Sequence, residues 1–150
     1  MLIGSSSNTG DAVFFQKLFA INSEFEERNR KKLERIDYGG NVTSVIIFPI
    51  SIYDEYEENL RTYNRYKFLD RFKNFDNKIE YCLNVNILIS PLDVKRLSVE
   101  ELKQLYCDLI VKTIENFDFK MPKNFDFLSF KRDFFNIVDD FRKIKVENTL

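Results

Sequence analysis

The sequence predicts an α+β domain: a mostly antiparallel sheet of three to four strands with helices packed on one face, in the order β-α-β-β-β-α-α. Three observations carry that expectation. The stretch KIEYCLNVNILI, residues 78–89, alternates its side chains at the period of a strand, with Ile79, Tyr81, Leu83, Val85, Ile87 and Ile89 on one side. Two later stretches repeat apolar residues at helical spacing behind capping residues. Three β-rich stretches, 42–53, 63–73 and 78–89, follow one another closely, as in an antiparallel meander.

Residues 1–5 suit one short strand. Thr9 or Asp11 is placed to cap a helix starting near Ala12, because either side chain accepts from the free N–H groups of a first turn. Phe15, Leu18, Phe25, Leu33 and Ile36 recur near helical spacing, interrupted by Asn22 and Asn29. Glu24–Arg28, Glu26–Arg30 and Glu27–Lys31 stand in the favourable acid-first i,i+4 order, the mark of a solvated helix surface. Gly39 and Gly40 in YGGN stop this helix by supplying positive φ. From Val42 to Tyr53 both faces are apolar enough for a central strand: Val42, Ile46, Phe48, Ile50 and Ile52 share one, Val45 and Ile47 the other. Pro49 removes a ladder donor there, so a bulge or an exposed end of the strand is expected around it. A third strand over 63–73 sets Tyr66, Phe68 and Phe72 in step.

Ser98 and Glu101 form an S-x-x-E capping box, with Leu97 and Leu102 as its apolar staple. The stripe that follows is Leu102, Leu105, Tyr106, Leu109, Thr113 and Phe117. After Pro122, Asn124 or Asp126 caps a last helix whose stripe is Phe127, Phe130, Phe134, Ile137, Val138, Phe141 and Ile144.

The chain has 150 residues, enough for one domain spanning 1–150, and no Pro/Gly/Ser-rich linker divides it. Hydrophobic residues at 44% and charged residues at 31% describe a globular chain. Sixteen Phe against two Ala mean a core built from rings. The 23 Lys and Arg nearly balance 24 Asp and Glu, which disfavours a general binder of nucleic acid or membrane surfaces. No apolar run reaches the ~20 residues of a membrane span, and the start lacks the pattern of a secretory signal. Cys82 and Cys107 lack a CxxC spacing and read as reduced thiols of a cytoplasmic protein. The sequence contains no histidine. That removes the commonest general base, the usual zinc ligand and every Ser-His or Cys-His nucleophile pair.

Three stretches invite a chemical reading. IGSSSNTGD, residues 3–11, looks like the phosphate loop of flavodoxins, since a helix start beside small residues attracts anions. That fold alternates strands and helices throughout, however, and Asp11 would repel a phosphate, so capping is the expected role. PLD at 91–93 and ELK at 101–103 imitate a PD…ExK nuclease pattern, but the capping box engages Glu101 at a helix start. The third stretch, 53–73, is polarised: Asp54, Glu55, Glu57 and Glu58 lead, and Arg61, Arg65, Lys67, Arg71 and Lys73 follow among aromatic residues. Its cations and rings would suit a small nucleic-acid-binding module over 61–73. Tyr and Arg close together also mark protein-binding hot spots. Asp54, Glu55, Tyr56, Glu57, Glu58, Arg61, Tyr63, Arg65 and Tyr66 are therefore the candidate interface.

The chain resembles a family of immunity proteins from bacterial polymorphic-toxin and contact-dependent growth inhibition systems. The matching pieces are MLIGSSS, FEERNRKKLERIDYGG, TSVIIFPI, YEENLRTYNRYKF, KIEYCLNVNI and LSVEELKQLYCDLIVKTI, which cover the chain to about residue 130. Each is a pattern of residue types rather than a strict motif, and the GSSSNTG loop carries more serines than the pattern does. The resemblance implies a cytoplasmic binding protein, monomer or homodimer, that neutralises a cognate toxin domain by stoichiometric occlusion. A nuclease is one class of such toxin. It implies no enzyme activity, no catalytic residues, no cofactor, no metal, no membrane partner and no direct contact with nucleic acid. Acidic groups available to a basic toxin are Asp54 to Glu58 and, near the end, Asp139 and Asp140.

Overall fold

Four strands and four helices make up the described part of the chain, residues 1–5, 12–51, 69–117 and 119–145 of a computed structural model. In order they are β1 (Leu2–Ser5), α1 (Ala12–Asn29), β2 (Val42–Ser51), β3 (Leu69–Lys73), β4 (Ile79–Ile89), α2 (Pro91–Arg96), α3 (Val99–Glu115) and α4 (Phe127–Lys143). The expected α+β class and element order are present, with the short α2 added before α3. No described helix is long and apolar enough to cross a membrane.

The sheet is mixed, not mostly antiparallel. Its spatial order is β1-β2-β4-β3; β1 pairs with β2 and β2 with β4 in parallel, and only β3 with β4 is antiparallel. The expected meander fails because β4, not β3, lies beside β2. Hydropathy explains the exchange: β2 and β4 bury side chains on both faces and take the centre, whereas LDRFK in β3 belongs at the side. Because β3 runs antiparallel to β4, it carries the chain back along the sheet, and the hairpin after it sets β4 parallel to β2. Neither the bulge nor the exposed end expected at Pro49 is found. Pro49 is buried opposite Ile87 in regular register, and the register shift of β2 against β4 lies at Val42–Ser44. The described β1 pairing ends at Ile47, so β1 asks no donor of Pro49.

All four helices pack on one face of this sheet. Val45, Ile47, Leu83, Val85, Ile87 and Ile89 present that face and join one core with Leu18, Ile21 and Phe25 of α1, Val94 of α2, and the inner faces of α3 and α4. Phe25 is the hub, its ring in edge contact with Tyr106, Phe134 and Phe141 at centroid distances of 5.9, 6.1 and 5.1 Å. On the other face Ile50 and Leu88 form a second small cluster with Phe48. Cys82 and Asn84, expected on a wetter face of β4, are buried there too.

Helix ends follow their caps. Ser98 and Glu101 close the capping box of α3 in both directions, and Asp126 caps α4 by accepting from Ser129. The buried face of α3 is rotated from the expected stripe: Leu102, Lys103, Tyr106, Cys107, Ile110 and Ile114 are inside, while Leu105, Leu109 and Thr113 are half-buried. The expected stripe of α4 stands.

Helix α1 ends at Asn29, nine residues before Tyr38, rather than at the glycines. The buried Asn29 amide donates to the Phe25 carbonyl at 2.8 Å, and three-residue turns carry the chain on to Ile36. These turns place Leu33 in the core and aim the Leu33 and Ile36 carbonyls at the Met1 nitrogen, 2.8 and 2.7 Å away. Gly39 and Gly40 do adopt positive φ, +82° and +64°, and they pass close beneath Asn124 and Phe125. A Cβ on Gly40 would lie 2.7 Å from Phe125 Cβ, so conformation and space both demand glycine.

Candidate functional site

At the end of the sheet where β1, β2 and β4 begin, the face turned away from the helices is hollow. Leu2 pairs with Ser44 and Ser44 with Cys82, so the hollow crosses three neighbouring strands. Glu80 and Phe72, partners across the β3–β4 ladder, bound it on one side. The turns after α1 bound it on the other with Glu34, Arg35, Ile36 and Asp37, leaving a cleft of about 570 Å³. Glu80 accepts from Thr43 at 3.3 Å and from the Asn74 amide at 2.7 Å, which ties the cleft wall to the hairpin beyond.

That hairpin, between β3 and β4, overhangs the same end of the sheet. Asn74 organises its turn. Its backbone N–H donates to the Lys78 carbonyl at 2.9 Å, and its own carbonyl accepts from Asn77 at 3.0 Å. Its side-chain oxygen accepts from the Asp76 and Lys78 N–H groups, both at 3.0 Å. Asn77 takes the left-handed conformation, φ 61°, a position that tolerates asparagine better than most residues. The product is a tied turn with Phe75 at its tip, fully exposed.

Leu2, Ile36, Phe72, Phe75 and Ile79 are therefore gathered at one end of the molecule, and they are five of the eight large apolar side chains left exposed among the described residues. The charges among them are mixed: Glu34, Asp37, Asp76 and Glu80 with Arg35, Arg71, Lys73 and Lys78. Leu2, Ile36 and Phe72 line the cleft, whereas Ile79 alternates with Tyr81 and Leu83 onto the helix side of β4 and Phe75 stands at the turn. Exposed apolar groups among charges of both signs are the make-up of a protein-binding surface.

The buried ionisable groups belong to the helix layer. The Tyr106 hydroxyl donates to Asn22 Oδ1 at 2.5 Å in the core, and burial pushes its phenol well above the usual range. Burial likewise pushes the Cys107 thiol up to about 11. Tyr38 donates to Asp133 at 2.6 Å, and burial followed by that bond raises its phenol. Lys103 lies over the Phe141 ring, 4.8 Å from its centre, and donates to the Ile144 carbonyl at the carboxyl end of α4. The Tyr106 and Lys103 contacts join helices of this layer to one another, and the Tyr38 contact ties the connection before β2 to α4. Cys82 and Cys107 lie on opposite sides of the sheet, which keeps their sulfurs apart.

The candidate interface residues Asp54, Glu55, Tyr56, Glu57, Glu58, Arg61, Tyr63, Arg65 and Tyr66 lie outside the described residues. So do Ser6 to Asp11 of the opening loop and both expected capping residues, Thr9 and Asp11. The β1–α1–β2 unit is nevertheless parallel, against the expectation of an antiparallel fold. Glu101 is engaged in its capping box and Lys103 is buried toward α4, so the imitation nuclease residues do not converge. Asp139 and Asp140 are exposed on α4.

Reading the sequence missed the assembled patch. Ile36 was expected within the helical stripe of α1, and Phe72 within the buried side of its strand. Phe75 carried a usable signal: a lone ring inside NFDN, a run of turn formers, has no neighbour in its own turn to pack against. Compared with family models, curated proteins and solved structures, the chain matches none of them.

Proposed function

We propose that this chain is an immunity protein: it binds a cognate bacterial toxin domain in a stoichiometric complex and neutralises it by occlusion, in the cytoplasm and without a cofactor. The observation that supports this most is the apolar group Leu2, Ile36, Phe72, Phe75 and Ile79, which the fold leaves in water at one end of the sheet. The apolar surface that these side chains leave exposed is available to a partner's core. The charges around it give such a contact orientation and selectivity. The sequence resemblance points the same way, since that family acts by binding.

The test is co-expression with the polypeptide encoded beside this chain. Growth arrest by that polypeptide alone, relieved by this chain together with recovery of a stable complex, is the expected result. Persistent arrest despite soluble, folded chain removes the proposal. Binding of labelled RNA that weakens steeply with salt would instead favour a nucleic-acid module built around the exposed Arg71, Phe72 and Lys73 of β3.

A further inference from the structure

We propose that the β3–β4 turn is a preformed anchor, with Phe75 as the ring that enters an apolar pocket on the toxin partner and Arg71, Lys73 and Lys78 meeting acidic groups on the pocket's rim. The inference rests on the binding function proposed above and names the element that performs it.

Three features of the turn support it. Phe75 is fully exposed, so folding gains nothing from its ring. Residues that serve only to reverse a chain are normally small or polar, as Asn74, Asp76 and Asn77 are here. The turn is also held rigid before any partner arrives. Asn74 alone makes five hydrogen bonds of 2.7 to 3.0 Å, to Asp76, Asn77, Lys78 and Glu80. A ring on a tied turn loses little freedom on docking, which is how preorganised binders gain affinity.

The occupant follows from the chemistry of the tip. A lipid surface would have to accept an acid and two amides along with one ring, a poor exchange for so little apolar area. A protein pocket takes the ring and leaves its polar neighbours on the rim. Among the residues of the hairpin described as exposed, Arg71, Lys73 and Lys78 stand against the one acid Asp76, so the complementary rim is acidic.

The experiment measures binding of the purified neighbouring-gene polypeptide to the wild-type chain and to Phe75→Ala, Asn74→Ala and Lys73→Glu/Lys78→Glu. Phe75→Ala is expected to melt with the wild type while its affinity falls roughly thirtyfold, the range of a hot-spot ring. Asn74→Ala keeps the ring but loosens the turn, and a smaller loss is expected. The double charge reversal is expected to slow association and reduce its dependence on salt. Unchanged affinity in Phe75→Ala alongside tight wild-type binding overturns the anchor and leaves the immunity function standing. Absence of wild-type binding overturns both. Self-association, or attachment to phosphatidylglycerol vesicles, that disappears in Phe75→Ala would assign the ring to a second copy or to lipid and overturn the anchor as stated.

Discussion

Cys107 has no exposed surface, and burial moves its thiol from an ordinary 9 to about 11, with Arg142 and Lys103 offsetting a little of the rise. The phenols of Tyr38 and Tyr106 are raised as well, both chiefly by burial. In each case the folded chain holds a proton that the unfolded chain releases at lower pH. This part of the stability is complete below the unfolded values and is lost as the pH climbs through the raised ones. Thermal melts are thus expected to weaken between pH 9 and 11, with Cys107 accounting for about 2 kcal/mol of the loss. A Cys107→Ala variant should show a shallower decline over that window. A thiol reagent at pH 8 should modify Cys107 only after denaturant is added; rapid labelling of the native chain there would contradict its burial. The lack of histidine is plain in the sequence, but which tyrosine is buried is not, because seven tyrosines share one residue type and only packing distinguishes them.

At the scale of the element, caps were the most legible features. Ser98 accepts from the Glu101 N–H and Glu101 accepts from the Ser98 N–H, both at 3.2 Å, as the S-x-x-E spacing requires. Ser98→Ala should cost about 1 kcal/mol in urea unfolding at pH 7. The Ser98 N–H, followed by the Ser98 hydroxyl contact, holds the Glu101 carboxyl below its usual range. Its contribution is therefore present above the ordinary carboxylate value and lost as the pH falls through the lowered one. The difference in stability between wild type and Glu101→Ala should accordingly narrow from pH 7 to pH 3, and an equal gap at both would argue against the carboxylate's role. Strand pairing was far less legible. The period of two in 78–89 identifies a strand but says nothing of which strand lies beside it, since partners in a sheet are chosen by distant surfaces. The end of α1 was obscured in the same way. Leu33 and Ile36 keep helical spacing with Phe25, yet the buried Asn29 amide and the pull of Leu33 into the core end the helix first.

Considered as a whole, the described part of the molecule is a helix layer, rich in rings, closing one face of a sheet. Phe25 joins α1 to Tyr106 of α3 and to Phe134 and Phe141 of α4, so its removal opens a cavity where three helices meet. Phe25→Ala should cost roughly 3 to 5 kcal/mol, a large share of the 5 to 15 kcal/mol typical of a domain. A denaturation midpoint close to wild type would mean that the hub is not where the structure places it. Phe75 is the opposite case, an equally large ring that stability should not notice. Composition treats the two residues alike, and only their surroundings separate a core ring from a surface one.

Amino-acid order alone determined the class of the fold, the strand at 78–89, the capped starts of α3 and α4, and the glycine turn at Gly39 and Gly40. Each depends on contacts within a few residues, or on a backbone conformation that one residue type supplies. Tertiary structure decided the parallel place of β4 beside β2, the inner face of α3, the early end of α1, and the grouping of exposed apolar side chains beside Phe75. Those depend on surfaces far apart in the chain meeting in space, and the burial gained there outweighs the local preferences that a sequence displays.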